Sequence, residues 1–403
     1  KDGDYMEWMT TADSPGSVFL MQGNEAVVRG AIEAGIDFAA SYPGSPSSQV
    51  LTMLGNAAGE RKFYAEWSTN EVVALEACLG ASFAGARALC IVKQNGLLVL
   101  GDALCCGALS GIRGGLVLIT SDDPDSHSST NEFDSRHMAD MADLPMLEPT
   151  CMQDAKDMIP YAFDLSEKLS QIVIIRLTTR VCHGRGNVIV GPLPERNSTF
   201  NVEEWDRMVC INLLHEQMLG KLDRVQEIFE NSKYNHYEGP EHADDLIIAG
   251  GTGRLYSLEA LDELGASGRV GVLSLGTIWP LPEKMILSHL KYAEKVLVVE
   301  EVDPVLQRGI YAIAGKYGIP VKISGREGGT GLPRTHELDP DITIKAVSDF
   351  LGLQRSSAAD TSDMPGSFSD MTSGRVCPEG GSSDEISDGV CRQGGSSDEI
   401  SDG

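Results

Sequence analysis

The sequence predicts an α/β protein whose core is a doubly wound parallel sheet. Between residues 17 and 180, short apolar strand-like runs alternate with segments of helical periodicity. The same alternation restarts at Asp244 after a connector, which predicts a second, smaller α/β domain. A segment rich in Ser, Asp, Gly and Glu follows residue 353 and predicts a disordered acidic tail.

The first domain is predicted to span residues 17–184. Its strands are expected at residues 18–21, 37–42, 62–65, 88–92, 115–120 and 171–177. Its helices are expected at residues 25–34, 46–56, 70–84, 97–109 and 152–169. Gly35 and Gly85 stand just after two of these helices, where glycine commonly ends a helix. Strands that alternate with helices in this way favour parallel pairing.

The remaining chain divides into three predicted parts. Residues 185–243 form a connector that contains one helix, at residues 202–229. Residues 244–353 form the second domain, with strands at residues 246–249, 270–275, 295–300 and 321–323. Residues 354–403 form the tail, in which Gly-Gly-Ser-Ser-Asp-Glu-Ile-Ser-Asp-Gly occurs twice. Such a composition has too little apolar surface to offset the entropy of ordering, so no catalytic role is expected there.

Composition argues against several classes of function. The formal net charge of −27 over 403 residues disfavours nucleic-acid binding, because phosphates would be repelled. No apolar run is long enough to cross a bilayer, and residues 1–7 lack the pattern of a secretion signal, so we expect a cytoplasmic protein without a membrane contact. The nine cysteines include no C-x-x-C pair, which argues against a metal or iron–sulfur site made by this chain alone.

Glu71 lies in the first turn of a predicted helix, shortly after a predicted strand. Two interpretations of this residue stay open. The segment Ser68-Thr69-Asn70-Glu71 fits a capping box, in which the glutamate side chain returns to the N-cap amide. Alternatively, a carboxylate held at a buried domain edge could share a proton with a ligand nitrogen. The local pattern favours the cap, because helix caps are common.

Two further residues carry a similar choice. Ser45-Pro46 fits an N-cap followed by proline at the first helical position, yet this loop also leaves the carboxyl end of a strand, where open α/β sheets bind ligands. Arg136 follows Glu132 by four residues, as in an ion pair on one helix, yet a guanidinium is also the usual partner of a substrate carboxylate. The long polar loop at residues 121–131 precedes it, and such loops often carry function.

Gly250-Gly251-Thr252-Gly253 follows a predicted strand and opens a helix, as a dinucleotide-binding turn would. Tyr256 stands where that motif needs its third glycine, so a tight turn is the favoured interpretation. The sequence contains no G-x-S-x-G, P-loop or H-E-x-x-H pattern, and hydrolase, nucleotidase and zinc-protease functions therefore have no support.

Motifs in a fixed order extend from residue 17 to residue 353. They include residues 42–48, 66–71, 80–88, 93–97, 122–124, 134–136 and 176–180 in the first half, and residues 280–284, 298–301, 331–334 and 337–341 in the second. Together they resemble one family, the thiamine-diphosphate-dependent 2-oxoacid:ferredoxin oxidoreductases. The resemblance is strongest to the large subunits of its indolepyruvate-specific members.

The resemblance implies that residues 17–184 bind the pyrimidine of thiamine diphosphate and that residues 244–353 are a transketolase C-terminal-like domain. Glu71 would be catalytic, because it would hydrogen-bond the aminopyrimidine ring and so activate the cofactor. Tyr42, Pro43, Gly44 and Lys93 would also contact the cofactor, and Ser45 and Arg136 would contact the substrate. Members of this family decarboxylate 2-oxoacids, pass electrons through iron–sulfur clusters to ferredoxin and transfer the acyl group to coenzyme A.

The sequence departs from the family in one respect. Neither the Gly-Asp-Gly motif that holds Mg²⁺ and the diphosphate nor a cysteine-rich cluster domain occurs in these residues. We therefore expect a hetero-oligomer, completed by a diphosphate-binding subunit, a gamma-type subunit and a ferredoxin or iron–sulfur subunit. Indolepyruvate or another arylpyruvate is the expected substrate. A non-oxidative 2-oxoacid decarboxylase and a non-catalytic scaffold subunit stay open as alternatives.

Overall fold

The computed structural model describes residues 9–194, 211–328 and 331–353. All of these lie within one compact unit, Lys1–Gln354. Two sheets dominate the unit, one of seven strands and one of five, and the predicted α/β class is confirmed. The tail predicted at residues 354–403 lies outside the described residues. Within the described ranges, no helix combines the length and the apolar character that a membrane span requires.

The elements are numbered in chain order. The strands are β1 (Val18–Gln22), β2 (Phe38–Ser41), β3 (Tyr64–Trp67), β4 (Ala88–Lys93), β5 (Leu116–Asp122), β6 (Met146–Leu147), β7 (Val173–Thr178), β8 (Arg185–Ile189), β9 (Asn235–Glu238), β10 (Asp245–Gly250), β11 (Gly271–Leu275), β12 (Thr277–Trp279), β13 (Lys295–Val299) and β14 (Lys322–Ser324). The helices are α1 (Gly23–Glu33), α2 (Ser48–Arg61), α3 (Glu71–Phe83), α4 (Gln94–Val99), α5 (Gly101–Ser110), α6 (Arg136–Met141), α7 (Met152–Leu169), α8 (Thr179–His183), α9 (Ile211–Phe229), α10 (Gly253–Glu263), α11 (Glu283–Leu290), α12 (Val305–Tyr317) and α13 (Pro340–Leu351).

The seven-stranded sheet has the order β12-β6-β7-β5-β4-β2-β3. All its pairs are parallel except that of β12 with β6. Every residue of β5 is buried, as expected of a central strand that is covered on both faces. Apolar residues of α1, α2 and α7 cover one face, and those of α3, α4 and α5 cover the other. The sheet is therefore doubly wound, as predicted.

The five-stranded sheet has the order β14-β13-β10-β11-β9, with β9 antiparallel to its neighbour. Helices α11 and α12 pack on one face, and α10 and α13 on the other. The predicted strands of this part lie within one residue of the observed ones at most of their ends. The short strands β6, β8, β9 and β12 were not predicted, and neither was the separate ribbon in which β1 pairs with β8.

Two predicted helices need correction. The helix expected at residues 97–109 is divided into α4 and α5, with Leu100 between them. The helix expected to begin at Pro46 begins at Ser48. The connector helix expected at residues 202–229 is seen as α9, and residues 202–210 lie outside the described part. The four-part division of the chain stays a prediction, and β12, from the second half, pairs into the first sheet.

The connections around β2 make a topological switch point at the carboxyl edge of the larger sheet, which is called the crevice below. Strands β3 and β4 flank β2 on opposite sides. The helix that follows β2 packs on one face of the sheet, while the helices that follow β4 pack on the other. The loops leaving β2 and β4 therefore diverge, and open α/β sheets bind their ligands at such a point.

Candidate functional site

The carboxyl ends of β2, β3 and β4 lie side by side at this crevice. Ser41, the last residue of β2, is level with Trp67 on β3 and with Ile91 on β4. Because the strands are parallel, the segments that follow them emerge at one edge. The sheet thus brings together the loop at residues 42–47, Glu71 and Lys93.

Glu71 is the first residue of α3, and Asn70 is the N-cap. The Asn70 Oδ1 atom accepts a hydrogen bond from the Val73 backbone N–H at 2.8 Å. The capping box predicted from Ser68 to Glu71 is not formed, because the helix starts two residues later than that pattern requires. The half-buried Glu71 carboxylate forms no hydrogen bond or ion pair with any residue in the described ranges.

The side chain of Glu71 packs against the first turn of α4. A methyl group placed on Gly96 would lie 2.5 Å from Glu71 Cγ and 2.7 Å from Oε1. Only glycine leaves room for the carboxylate at this point. Gly96 belongs to the motif at residues 93–97. Its contact with Glu71 explains why that motif contains a glycine.

Lys93 ends β4 and joins two loops at the crevice. Its stem lies against Gly44, where an added methyl group would meet Cγ and Cδ at 2.8 Å. Its Nζ atom donates a hydrogen bond to Ser129 Oγ at 3.0 Å. Lys93 therefore connects the loop after β2 with the polar loop at residues 121–131.

The loop after β2 is mostly exposed. Tyr42 is 40% exposed, and Pro43 and Ser45 are also exposed. The N-cap interpretation of Ser45 is wrong, because Ser47 occupies the N-cap position of this helix. The buried hydroxyl of this loop is that of Ser47, 2.6 Å from Ser121 Oγ. Ser45 thus stays at the crevice without a capping role.

The structure does not bring Arg136 to this group. Arg136 is 1% exposed, and its Nε and Nη2 atoms donate to the Asp134 carboxylate. Nη1 donates to Glu300 at 2.6 Å, and Nη2 also donates to the carbonyl oxygens of Glu301 and Asp303. A guanidinium so occupied has no free edge for a substrate carboxylate, so the geometry contradicts the substrate-binding expectation for Arg136.

The alternative ion pair of Arg136 with Glu132 is also absent. Glu132 precedes α6 instead of sharing a helix with Arg136, and its carboxylate accepts the backbone N–H of Asp125. The i, i+4 rule applies only where both residues lie on one helix. The acids that pair with Arg136 are Asp134, two residues before it, and Glu300.

Arg136 belongs to a buried ionic cluster that links the carboxyl edges of the two sheets. The cluster consists of five acids, Asp122, Asp134, Glu148, Glu300 and Glu301, and three arginines, Arg136, Arg176 and Arg326, all 2% exposed or less. Arg176 Nε pairs with Asp122 at 2.7 Å, and its Nη1 pairs with Glu148. Arg326 Nη2 lies 3.4 Å from Glu301. The pairs satisfy charges that burial would otherwise penalise.

Burial and charge shift the pKa values of this cluster in opposite directions. Burial alone would raise the pKa of Asp134, but Arg136 and Arg176 outweigh it and lower that pKa. Burial raises the pKa of Glu301 to about 7, against the opposing effects of the Leu338 N–H and Arg326. The cluster therefore holds at least one carboxyl group that titrates near neutral pH.

Apart from Arg136, no residue of this cluster had a role predicted from the sequence. One signal in the sequence could have indicated it: Arg176 interrupts the otherwise apolar strand Val-Ile-Ile-Arg-Leu-Thr, where a charged residue needs a buried partner.

The cluster also explains the glycine-rich segment after β10. Gly251 and Thr252 form a turn, and a methyl group on Gly251 would lie 2.6 Å from Glu148 Oε1. The observed structure is a tight turn packed on a carboxylate.

The resemblance to thiamine-diphosphate enzymes predicts that the crevice residues hold the pyrimidine end of that cofactor. Glu71 offers a carboxylate with no partner among the described residues, which suits a ring nitrogen that must be hydrogen-bonded. Because Gly44 and Gly96 have no side chains, the neighbouring side chains pack directly against their backbone. In the described part of the chain, no cluster of three or more His, Cys, Asp or Glu residues could hold a metal ion.

Comparison with known proteins is consistent with this geometry. The family model for the thiamine diphosphate-binding domain of pyruvate flavodoxin/ferredoxin oxidoreductases matches residues 29–245. The chain belongs to this family. The resemblance described from the sequence motifs is thereby confirmed.

Relatives and solved structures point the same way. The chain is 41% identical over 352 residues to the indolepyruvate oxidoreductase subunit IorA of Pyrococcus abyssi, covering 85% of this chain and 54% of that protein. It is 27% identical to the 2-oxoglutarate synthase subunit KorA of Archaeoglobus fulgidus, covering 70% and 87%. The chain therefore spans about half the length of the IorA relatives.

Two solved structures share the fold. The 2-oxoglutarate:ferredoxin oxidoreductase from Magnetococcus marinus matches with a TM-score of 0.66 and 18% identity, over 83% of this chain and 65% of that one. A split gene transketolase, described as an inactive beta4 tetramer, matches with a TM-score of 0.52 and 16% identity, over 83% and 99%. At these identities the likeness concerns the fold alone.

Proposed function

We propose that this chain is the pyrimidine-binding part of a thiamine-diphosphate-dependent 2-oxoacid:ferredoxin oxidoreductase that acts on indolepyruvate or another arylpyruvate. The diphosphate-binding part, with its Mg²⁺, and the iron–sulfur clusters would come from protein outside these residues. Coenzyme A would accept the acyl group, and ferredoxin the electrons. The family match and the identity to IorA subunits support the reaction class.

One observation carries the proposal: at the crevice of the larger sheet, Glu71 presents a carboxylate that has no partner in the part of the chain that the structure describes. Thiamine diphosphate, when bound, supplies a nucleophilic carbon and an electron sink for decarboxylation. Glu71 would hold a proton at the aminopyrimidine ring nitrogen. Gly96 leaves room for the carboxylate in this position, and a larger residue there would displace it.

Lys93, Gly44, Tyr42 and Pro43 would line the cofactor beside Glu71. The Lys93 stem lies in close contact with Gly44, so the loop and the lysine form one continuous surface. Ser45 is exposed at the same loop and is the candidate for contact with the substrate. Arg136 has no part in this proposal, because its donors are used inside the fold.

The substitution Glu71→Gln tests the proposal. Glutamine fills the same volume but cannot hold the proton, so the complete enzyme should lose about 10²-fold or more in turnover. Exchange of the thiazolium C2 proton of bound cofactor, followed by NMR, should slow to a similar degree. The unfolding midpoint in urea should stay close to that of the wild type, because the carboxylate bonds to none of the described residues.

Glu76→Gln is the matched control, since Glu76 is exposed on the same helix. This variant should keep wild-type turnover and wild-type C2 exchange. If Glu71→Gln behaved like Glu76→Gln, the catalytic assignment would be lost. Comparison of indolepyruvate with pyruvate and 2-oxoglutarate as substrates tests the substrate class. Equal kcat/KM for all three would contradict the arylpyruvate assignment.

A further inference from the structure

Asp123 follows β5 directly and is 2% exposed. Its Oδ2 atom accepts hydrogen bonds from the Ser128 backbone N–H and from Ser129 Oγ, both at 2.8 Å, with Ser128 Oγ at 3.3 Å. Its Oδ1 atom accepts a bond from Thr179 Oγ1 at 2.9 Å. Burial alone would raise the pKa of Asp123, but these donors outweigh it and lower that pKa, so the group is a carboxylate at neutral pH.

Two hydrogen bonds join Lys93 to Asp123 through Ser129, and each can have only one donor. Ser129 has a single hydroxyl proton, and an ionised carboxylate can only accept, so Ser129 donates to Asp123. The Ser129 oxygen must then accept from Lys93 Nζ, at 3.0 Å. This order aligns the two bonds from the ammonium to the carboxylate, and aligned hydrogen bonds strengthen one another.

Asp123 cannot itself face a ligand at the crevice, because both of its oxygens are used inside the fold. Lys93 can, because Nζ carries three donors and only one bonds to a described residue. Ser129 therefore transmits the position of a buried carboxylate to an ammonium group at the crevice.

We propose that Asp123 is a positioning residue for Lys93, acting through Ser129 to hold the ammonium beside Gly44 at the crevice. The importance of the Lys93 position for catalysis rests on the proposed function, whereas the positioning of Lys93 by Asp123 does not. A purely structural reading is that Asp123 only anchors the loop at residues 124–131. Under that reading, removal of the Ser129 hydroxyl should leave the reactivity of Lys93 unchanged.

The experiment is competitive acylation of the full chain, without cofactor, by trace acetic anhydride and mass spectrometry. The labelling rate of Lys93 is taken relative to that of exposed Lys168 in the same molecule. Ser129→Ala and Asp123→Asn should each raise the ratio about threefold to tenfold, the range expected for loss of one charge-assisted hydrogen bond. The double variant should rise no further, because both changes break one chain of bonds.

Two variants serve as controls. Ser129→Thr keeps the hydroxyl and should restore the wild-type ratio. Asp125→Asn makes the same chemical change in the same loop, but among the described residues the Asp125 carboxylate bonds to His336 and not to Lys93 or Ser129, so the ratio should not change. The proposal is overturned if Ser129→Ala matches Asp125→Asn, or if Asp123→Asn acts while Ser129→Ala does not. The labelling experiment contains no cofactor, so failure of the Glu71→Gln test would not change its result. A negative labelling result would likewise leave the assignment of Glu71 unchanged.

Discussion

Two groups of charged residues at the same edge of the seven-stranded sheet differ in burial and in pairing. Lys93, at the end of β4, and Glu71, after β3, are only half-buried, and the carboxylate of Glu71 has no partner in the described residues. Asp122, at the end of β5, and Arg176, within β7, are fully buried and paired with each other. The difference comes from what covers the edge, since the residues that follow β13 close over the second group.

The comparison shows that charge at a sheet edge does not by itself mark a functional site. What separates the two groups is unused hydrogen-bonding capacity. Arg136 resembled a substrate ligand in the sequence, yet its guanidinium is used up by Asp134, Glu300 and two carbonyl groups. Glu71 resembled a cap, yet Asn70 caps the helix and leaves the Glu71 carboxylate free. We expect changes in the buried ionic cluster to cost stability and changes at the crevice to cost activity.

The largest effect on stability is expected for Arg136→Met. The change leaves Asp134 and Glu300 buried without their guanidinium partner. Removal of one partner from a buried ion pair typically costs about 3–5 kcal/mol of unfolding free energy. Urea unfolding of the full chain measures this loss. A substrate-binding role would instead raise the KM of the complete enzyme and leave the unfolding midpoint in place.

Arg308→Met is the matched control for this prediction. Arg308 also pairs with a glutamate, Glu327, but both side chains are largely exposed. Exposed pairs contribute about 0–1 kcal/mol, so this variant should unfold close to the wild type. Equal midpoints for the two variants would mean that the buried ionic cluster does not stabilise the fold.

The fold could be predicted from the sequence to a large extent, because its signals are local. Helix α7 begins and ends at the predicted residues, Met152 and Leu169, and the buried run at residues 88–92 is part of β4. The strands that were missed, such as β6 and β12, are two or three residues long and depend on pairing across the chain. Their formation is a tertiary property that no local pattern reports.

The candidate site could be predicted only in part. Motif order located the loop at residues 42–48, Glu71 and Lys93, and the parallel register brings them to one edge. The partners of Arg136 could not be predicted, because Glu300 is 164 residues away in sequence. The role of Asp123 could not be predicted from its motif. It depends on contacts with Ser129 and Thr179, which form only when the loop folds.

The second prediction concerns the pH dependence of the buried ionic cluster. Burial raises the pKa of Glu301 to about 7, above the usual value of a glutamate. The folded state then binds a proton more tightly than the unfolded state does, so this contribution is full below about pH 4.3 and is lost as the pH rises through about 7. Glu301→Gln should remove it, at most about 4 kcal/mol of pH-dependent unfolding free energy.

Urea unfolding between pH 5 and 8.5 measures this contribution, and the quantity of interest is the wild-type stability minus that of Glu301→Gln. The difference should fall as the pH rises, because only the wild type loses its proton. Burial also raises the pKa values of Asp122 and Glu300, but their contributions are shared by both proteins and cancel in the difference. A difference that is constant with pH would show that Glu301 stays ionised, and the contrast with the crevice would then rest on pairing alone.

The smallest effect is expected at the crevice itself. Asn70→Ala removes the side chain that accepts the Val73 N–H, and loss of such a cap costs about 1 kcal/mol. Ser68→Ala should change stability little, since Ser68 Oγ has no hydrogen-bond partner among the described residues. A capping box centred on Ser68 would reverse this order. Thermal unfolding of the two variants therefore decides whether Glu71 is spared from capping and left with its carboxylate free.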